Sequence, residues 1–448
     1  MLMKVKTFEP LPPVQEAKGT FRPGELMGII RINEKGCWGC CVCQTVCPAE
    51  AIEGGFGEAH RINYDKCINC GQCLINCPYG VIQQMSYVDV VLEKLKDKNT
   101  KVVAIIAPAV RVAIAEEFGA PPGTLTVAQL WHALEKAGFL IYENNFAADQ
   151  TILEEGTELL GRIAAHAGLP KLPVYVWGEK HFELDLEAFK KKPLPQFTSC
   201  CPAWVRYAEI NYPELLPHIS SCKSPQQMAG ATAKTYGAKS IWKIDPKNLF
   251  TVGIMPCTAK IFEASRPEFD SAGRFWNIPG MRDVDAVLTT RDLAELFRRL
   301  DINPLKFPQK RHPKDFEWYS GGGTIFGTSG GVMEAATRFA FHVLSGLEPS
   351  AMSPEWDFEE VRGDCQPIKT ASIHIPLRKE YQELFKVKEI TLKVCVINGI
   401  GPSGAHIKKT LEDVINGKSE FHFIEVMCCP GGCLNGGGQP KHLLVFEN

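Results

Sequence analysis

Cys37, Cys40, Cys43 and Cys47, followed by Pro48, spell C-x2-C-x2-C-x3-C-P, and Cys67, Cys70, Cys73, Cys77 and Pro78 spell it again. At this spacing one loop wraps an inorganic cluster and aims its backbone N–H groups at the sulfurs. Zinc also accepts C-x2-C pairs, but zinc sites rarely use two interleaved runs of this kind, so the pattern reads as two 4Fe–4S clusters. In that arrangement the fourth cysteine of each run ligates the other cluster. Cys37, Cys40, Cys43 and Cys77 are therefore expected to hold one, and Cys67, Cys70, Cys73 and Cys47 the second. Cys41 falls outside the pattern and reads as a spare thiol. Two clusters in a small fold make an electron wire, which does no bond chemistry alone and needs a terminus.

Three later groups supply candidates for it: FTSCCPAW with Cys200 and Cys201, GIMPCTAK with Cys257, and EVMCCPGGCLNGGGQP with Cys428, Cys429 and Cys433. Each follows a predicted strand. Ligands collect beyond the carboxyl ends of parallel strands, so three strand ends can bring together cysteines far apart in sequence. The glycines of PGGC and GGGQP are expected to let backbone approach a bulky ligand. Buried cysteines are also ordinary core residues. That bland reading suits Cys395, Cys365 and Cys222, and fits poorly beside the Pro and Gly of CCPGGC.

The elements that must position these residues are those of an ordinary soluble protein. The 448 residues are 45% hydrophobic and 22% charged, long enough for roughly two to four domains. A formal net charge of −2 gives no electrostatic case for nucleic acid or an anionic membrane. No apolar run approaches the roughly 20 residues of a membrane span. The N-terminus lacks the apolar core and cleavage site of a signal peptide. A cytoplasmic location is expected, with export alongside a partner's signal as the other reading. Eighteen cysteines, nine of them between 37 and 77, argue for metal thiolates rather than disulfides in a chain of this size.

Residues 1–28 read as an extended arm. Residues 29–85 are too short for a large apolar core, so bound metal is expected to organise them. A connecting helix is predicted over Tyr87–Lys98. A larger domain is expected over 86–448, and from residue 101 its pattern is α/β, with buried strands in KVVAIIAP, FLIYEN, FTVGIMP, DAVLTT, LKVCVING and FHFIEVM, and helices such as RDLAELFRRL between them. Thr126 and Gly138 are predicted to cap TVAQLWHALEKAG.

With all three later motifs in view, the sequence resembles the iron-only (di-iron) hydrogenases, whose signatures are TSCCPxW, MPCxxKxxE and ExMxCPGGCxxGGGQP. Thr198–Trp204, Met255–Glu263 and Glu425–Pro440 match them. The likeness spans about residues 30–440, includes Ala107–Arg111, and is closest to the large subunit of the two-subunit, sulfate-reducer type. It implies a small α+β two-cluster ferredoxin-like domain followed by an α/β catalytic domain of two parallel-sheet lobes, with the metal site between them.

The resemblance further implies an H-cluster: a 4Fe–4S cubane joined to a di-iron unit bearing CO, cyanide and a bridging azadithiolate. By motif position Cys201, Cys257, Cys429 and Cys433 hold the cubane, and Cys433 bridges to the di-iron unit. Lys260 donates a charged hydrogen bond to a cyanide, Met255 and Met427 pack on the di-iron unit, and Pro108, Ser224 and Gln226 complete the pocket. The implied reaction is H2 ⇌ 2H+ + 2e−, with Cys200 the first protein proton relay, then Glu155, Ser220 and Glu158 toward solvent near Arg162. Taken alone, EExxExxxR at 154–162 reads as a solvated charged face with a Glu158–Arg162 pair.

This chain departs from the family at Ala109, where some members carry serine, at Cys428, where alanine or serine is expected, and over 163–195, which reads as a surface insertion. GGGTIFGTSGG at 321–331 lacks the ending of a phosphate loop and is expected to pack beside the cluster. A hydrogen sensor and a non-catalytic iron–sulfur scaffold are the alternatives; relatives of those kinds lose the relay cysteine or the full second and third motifs, all present here. The implied partners are H2, protons and an electron acceptor: ferredoxin, a separate small subunit, or the iron–sulfur subunits of a complex such as a formate dehydrogenase-linked one. The small subunit is expected because the chain ends soon after GGGQP, where single-chain relatives continue.

Overall fold

The computed structural model describes residues 28–176, 178–349 and 366–441. The predicted arm other than Gly28, Cys365 and the tail beyond Lys441 lie outside these. The first cysteine runs sit in a module closed by two small antiparallel sheets. Ile30–Ile32 pairs with Ile82–Gln84, and Ile52–Glu53 with Arg61–Ile62. The third cysteine of each run opens out of a four-residue helix, Val42–Thr45 or Gln72–Ile75, and each helix follows a residue of left-handed backbone, Cys41 (φ 62°) or Gly71 (φ 75°). Ile29, Ile30, Val81 and Ile82 of the module share one core with Val103 and Ile105. The connecting helix forms over Val88–Lys96 and buries Val88 and Val91 in that core.

Two four-stranded sheets follow. The first is all parallel, ordered Ala286–Thr289, Leu249–Met255, Lys101–Ile106, Phe139–Glu143. These strands are buried runs, as expected where helices cover both faces. Thr126 and Gln129 form a capping box at the start of Val127–Ala137, and Gly138 ends it at φ 102°. The second sheet runs Ile368–Pro376, Glu389–Asn398, Phe423–Met427, Gln196–Phe197. Its last three strands are parallel, while Ile368–Pro376 joins antiparallel. This second lobe is thus mixed, for a physical reason: the edge strand buries alternate residues only, which an antiparallel edge tolerates and a parallel interior strand does not.

The 23-residue helix Asn144–His166 ties the lobes together. Ala147 packs in the first core, while Leu159, Leu160 and Ala164 pack in the second. The predicted surface insertion is a hairpin, Lys171–Val176 with Glu179–Asp185. Only its outer strand is exposed; Leu172, Val174 and Leu186 are fully buried in the second core.

Candidate functional site

Four strand ends meet at one cavity between the two sheets. Lys101–Ile106 leads into Pro108, Gln196–Phe197 into Cys200 and Cys201, Leu249–Met255 into Cys257, and Phe423–Met427 into Cys429 and Cys433. All of these residues, with Met255, Met427 and Lys260, line a cavity of about 70 Å³. By that measure roughly 10–15 Å³ suffices for one water, so the space suits a bulkier occupant. Among the described residues, no group of three or more His, Cys, Asp or Glu side chains closes on the point one metal ion would fill. The four cysteines line one chamber.

Gly432 and Gly436 of the third motif line the cavity, and the same glycines also seat it on other loops. A Cβ on Gly432 would lie 2.6 Å from the Ser329 nitrogen, and one on Gly436 would lie 2.2 Å from the Pro256 carbonyl oxygen. Backbone packs on backbone there, fastening the third motif to GTSGG and to the second motif. Glu425 secures the same seam, accepting from the N–H groups of Gly330 (2.6 Å) and Met333 (2.7 Å). Phe326 and Gly327 reach the cavity wall, as expected for 321–331.

Lys260 is buried, and its ammonium donates to Glu263 (2.9 Å) and to the Cys200 carbonyl (3.0 Å). Burial alone would lower its pKa, but Glu263 and the nearby thiols raise it, so the charge is held. Ser224 and Gln226 stand differently from the pocket contacts the sequence implied. Neither lines the cavity. Ser224 Oγ and Gln226 Nε2 each donate to Glu263 at 2.9 Å, because Glu263 has acceptor capacity left beyond Lys260. Their place is behind the lysine. Asn144, which the sequence reading passed over, does line the wall; only its position at a helix start signalled it.

Glu155 is buried, and the half-buried Cys200 is its neighbour. Burial and the charge of Glu155 push the Cys200 thiol well up, and burial with the charge of Glu158 pushes Glu155 up to about 8. Ser220 Oγ donates to Glu158 at 3.0 Å. Glu158 also accepts from Arg162, from Lys192 at 2.9 Å and from the Ser221 N–H at 2.9 Å. Burial works against its charge, but the bonds from Lys192 and Arg162 prevail and hold it below the ordinary carboxylate range. The solvated-face reading of this helix is therefore wrong. Arg162 is 0% exposed, tied to the carbonyls of Pro193, His218 and Ile219. The row cannot reach water at Arg162; Ser221 and the partly exposed Lys192, on the insertion, lie at its outer end.

In the N-terminal module, Cys77 lines one cavity with Cys37, Cys40 and Cys43. Cys47 instead neighbours Cys67, Cys70 and Cys73. The fold thus brings together each group of four that the ferredoxin-like pattern implies. The second run is seated on the catalytic loops. Thr258 Oγ1 donates to the Asn69 carbonyl at 2.7 Å, Gln72 Nε2 donates to the Asn435 carbonyl at 3.0 Å, and a Cβ on Gly437 would lie 2.3 Å from the Cys70 carbonyl oxygen.

Residues 100–437 match the family model of the iron only hydrogenase large subunit, C-terminal domain, and residues 41–88 match the LdpA Fe–S cluster-binding domain. The chain belongs to the iron-only hydrogenase large-subunit family. It is 44% identical over 421 residues to the periplasmic [Fe] hydrogenase large subunit of Nitratidesulfovibrio vulgaris, covering 93% of this chain and 88% of that one. It is 36% identical to the NADP-reducing hydrogenase subunit HndD of Solidesulfovibrio fructosivorans, covering 92% and 65%. A solved variant of the [FeFe]-hydrogenase HydA1 from Chlamydomonas reinhardtii superposes with a TM-score of 0.64 at 36% identity, covering 80% of this chain and 85% of that one. The family also reaches a cytosolic iron–sulfur assembly component 3 from Pongo abelii, 28% identical, covering 85% and 72%. The present chain is an iron-only hydrogenase, an oxidoreductase.

The donor set suits the iron–sulfur group this family carries. Burial pushes Cys201 up to about 11 and Cys433 up to about 12, and the neighbouring thiols add to each. Soft sulfur donors crowded in this way stay protonated when no metal is near and release protons on binding iron.

Proposed function

We propose that this hydrogenase interconverts H2 with protons and electrons at an H-cluster held by Cys201, Cys257, Cys429 and Cys433, and passes the electrons through two 4Fe–4S clusters to a protein partner. The observation that carries this reading is the meeting, at one cavity, of those four cysteines with Lys260, Met255, Met427 and the second thiol Cys200. The module would be residues 29–85 and the catalytic domain 86–448.

The bound H-cluster supplies the site of H2 cleavage and takes up the electrons. The chain's own residues do the rest. Lys260, fixed by Glu263, presents positive charge to the cavity and suits the anionic cyanides. Pro108, Met255 and Met427 give apolar walls that keep water out. Cys200 takes a proton at Sγ and passes it to the Glu155 carboxyl. Ser220 links Glu155 to Glu158, and Ser221 with Lys192 opens the row to solvent. Cys67, Cys70, Cys73 and Cys47, seated on Thr258 and Gly437, would hold the inner cluster, and Cys37, Cys40, Cys43 and Cys77 the outer one, which together would supply a route for the electrons.

The partner is a small subunit, ferredoxin or further iron–sulfur subunits, and co-purification from the native source decides among them. Among the described residues no helix is long and apolar enough to cross a membrane. The cytoplasmic expectation stands beside a relative named as periplasmic, and cell fractionation separates the two.

Infrared spectroscopy with iron analysis tests the function. The matured protein should show bands of iron-bound CO and cyanide and carry about 14 iron atoms per chain. About eight, without those bands, would mean the two ferredoxin clusters alone and would sink the assignment.

A further inference from the structure

The thiol left over from the first run is placed against a buried imidazole. His60 is 0% exposed. Its Nδ1 lies 3.4 Å from Cys43 Sγ and its Nε2 lies 3.6 Å from Cys41 Sγ. Its backbone N–H donates to Cys37 Sγ at 3.4 Å. The ring is walled in, since a Cβ on Gly54 would stand 2.6 Å from His60 Cδ2. Cys41 does not line the cavity shared by Cys37, Cys40, Cys43 and Cys77, whereas His60 does.

The internal repeat shows that Cys41 is not needed by the loop. Thirty residues on, Gly71 holds the equivalent place with the same left-handed backbone, φ 75° against 62°. That conformation costs glycine nothing and strains a cysteine. Nor does the second set have a counterpart of the ring: among the described residues, Cys47 accepts from the Ala51 N–H, and no imidazole meets Cys67, Cys70 or Cys73.

A neutral imidazole has one N–H and one bare nitrogen, and the partner of one fixes the role of the other. A thiol donating to Nε2 puts the hydrogen on Nδ1, where it faces Cys43. We propose that Cys41 and His60 form a hydrogen-bonded chain, Cys41 S–H to Nε2 and Nδ1–H to Cys43 Sγ, that raises the reduction potential of the outer 4Fe–4S cluster above that of the inner one. Donors to a ligand sulfur favour the more negative, reduced cluster. The Gly39 carbonyl, 3.6 Å from Cys41 Sγ, is the competing acceptor. The consequence is directional. Electrons arriving through the inner cluster settle on the outer one, beside the exposed, stacked pair Trp38 and Tyr79. His60 and Cys41 are positioning residues for the electron, acting through Cys43.

The inference rests on the reading that Cys37, Cys40, Cys43 and Cys77 hold a 4Fe–4S cluster. The test is an EPR-monitored redox titration of the full-length, cluster-loaded protein and of His60→Leu and Cys41→Gly. Cys41→Gly copies the residue at the repeat position, so it should fold even if the histidine variant does not. In His60→Leu one ferredoxin cluster should lose at least tenfold in its reduced-to-oxidised ratio at a fixed poise, a fall of 59 mV for one electron, while the other stays put. Cys41→Gly should shift the same cluster the same way by less. Protein carrying ring-15N histidine should show nitrogen coupling to that cluster in pulsed EPR, and His60→Leu should abolish it. Unmoved titrations in Cys41→Gly, with both clusters present, overturn the inference alone. Iron loss in Cys41→Gly also overturns it, because Cys41 would then be a ligand. A wild-type protein with no ferredoxin-type signals overturns both the inference and the reading beneath it.

Discussion

The Lys260 ammonium donates to the backbone carbonyl of Cys200 at 3.0 Å, so one charged side chain fastens the second motif to the first at the wall of the metal cavity. The same ammonium is paired with Glu263, itself held by Ser224 and Gln226. Lys260→Met would leave Glu263 buried and unpaired, a loss of about 3–5 kcal/mol. Adding Glu263→Gln should recover part of it, because the two changes are coupled. Denaturant unfolding of the metal-free protein measures both. A purely additive pair would show that the lysine and glutamate act separately.

Cys200 and Cys201 are adjacent, yet different work is proposed for them. Cys200→Ser should retain iron and the CO bands and lose most turnover, since a hydroxyl is a far weaker acid than a thiol. Cys200→Asp should lose less. Cys201→Ala should lose cubane iron. Near wild-type turnover in Cys200→Ala would send the proton by another route.

Glu155 carries a pH signature. Its carboxyl titrates at about 8 because it is buried and faces Glu158. The turnover profile should bend near that pH. Glu158→Gln removes the like charge, so the bend should move to lower pH while turnover slows. Stability gives an independent reading. A folded-state pKa above the unfolded value means that the stabilising proton is fully retained below about pH 4.5 and lost as pH rises through about 8. Melting temperature should therefore fall with pH across that window, and Glu155→Gln should flatten the fall while abolishing most turnover.

The seam between module and catalytic loops is tight enough to be probed by one methyl group. Gly437→Ala would press a Cβ to 2.3 Å from the Cys70 carbonyl, a clash that only backbone movement relieves. The inner cluster should then be displaced from the cavity. H2-driven reduction of the ferredoxin clusters, followed by stopped flow, should slow at unchanged iron content. An unchanged rate would mean that electrons do not cross at this seam.

Much of this protein is written locally. The cysteine runs, the Thr126 and Gly138 caps, the buried strands and the three catalytic motifs are short-range patterns, each set by a few neighbouring residues and their geometry. The crossover of Cys47 and Cys77 comes with the ferredoxin-like pattern those runs match, in which the fourth cysteine of each run serves the other cluster. What the sequence could not decide depended on who lies opposite. GGGQP reads as room for a ligand, and Gly436 does line the cavity, but the same run also packs on the backbones of Pro256 and Cys70. Ser224 and Gln226 are pocket contacts by resemblance, yet they donate to Glu263. EExxExxxR has the look of a solvated face, and only the insertion carrying Pro193 and Lys192, together with the segment at Pro217–Ile219, takes Arg162 out of water. Cys41 is a spare thiol until His60, 19 residues away, is set between it and Cys43. Burial and pairing across the fold are sums over distant segments, and local periodicity carries no record of them.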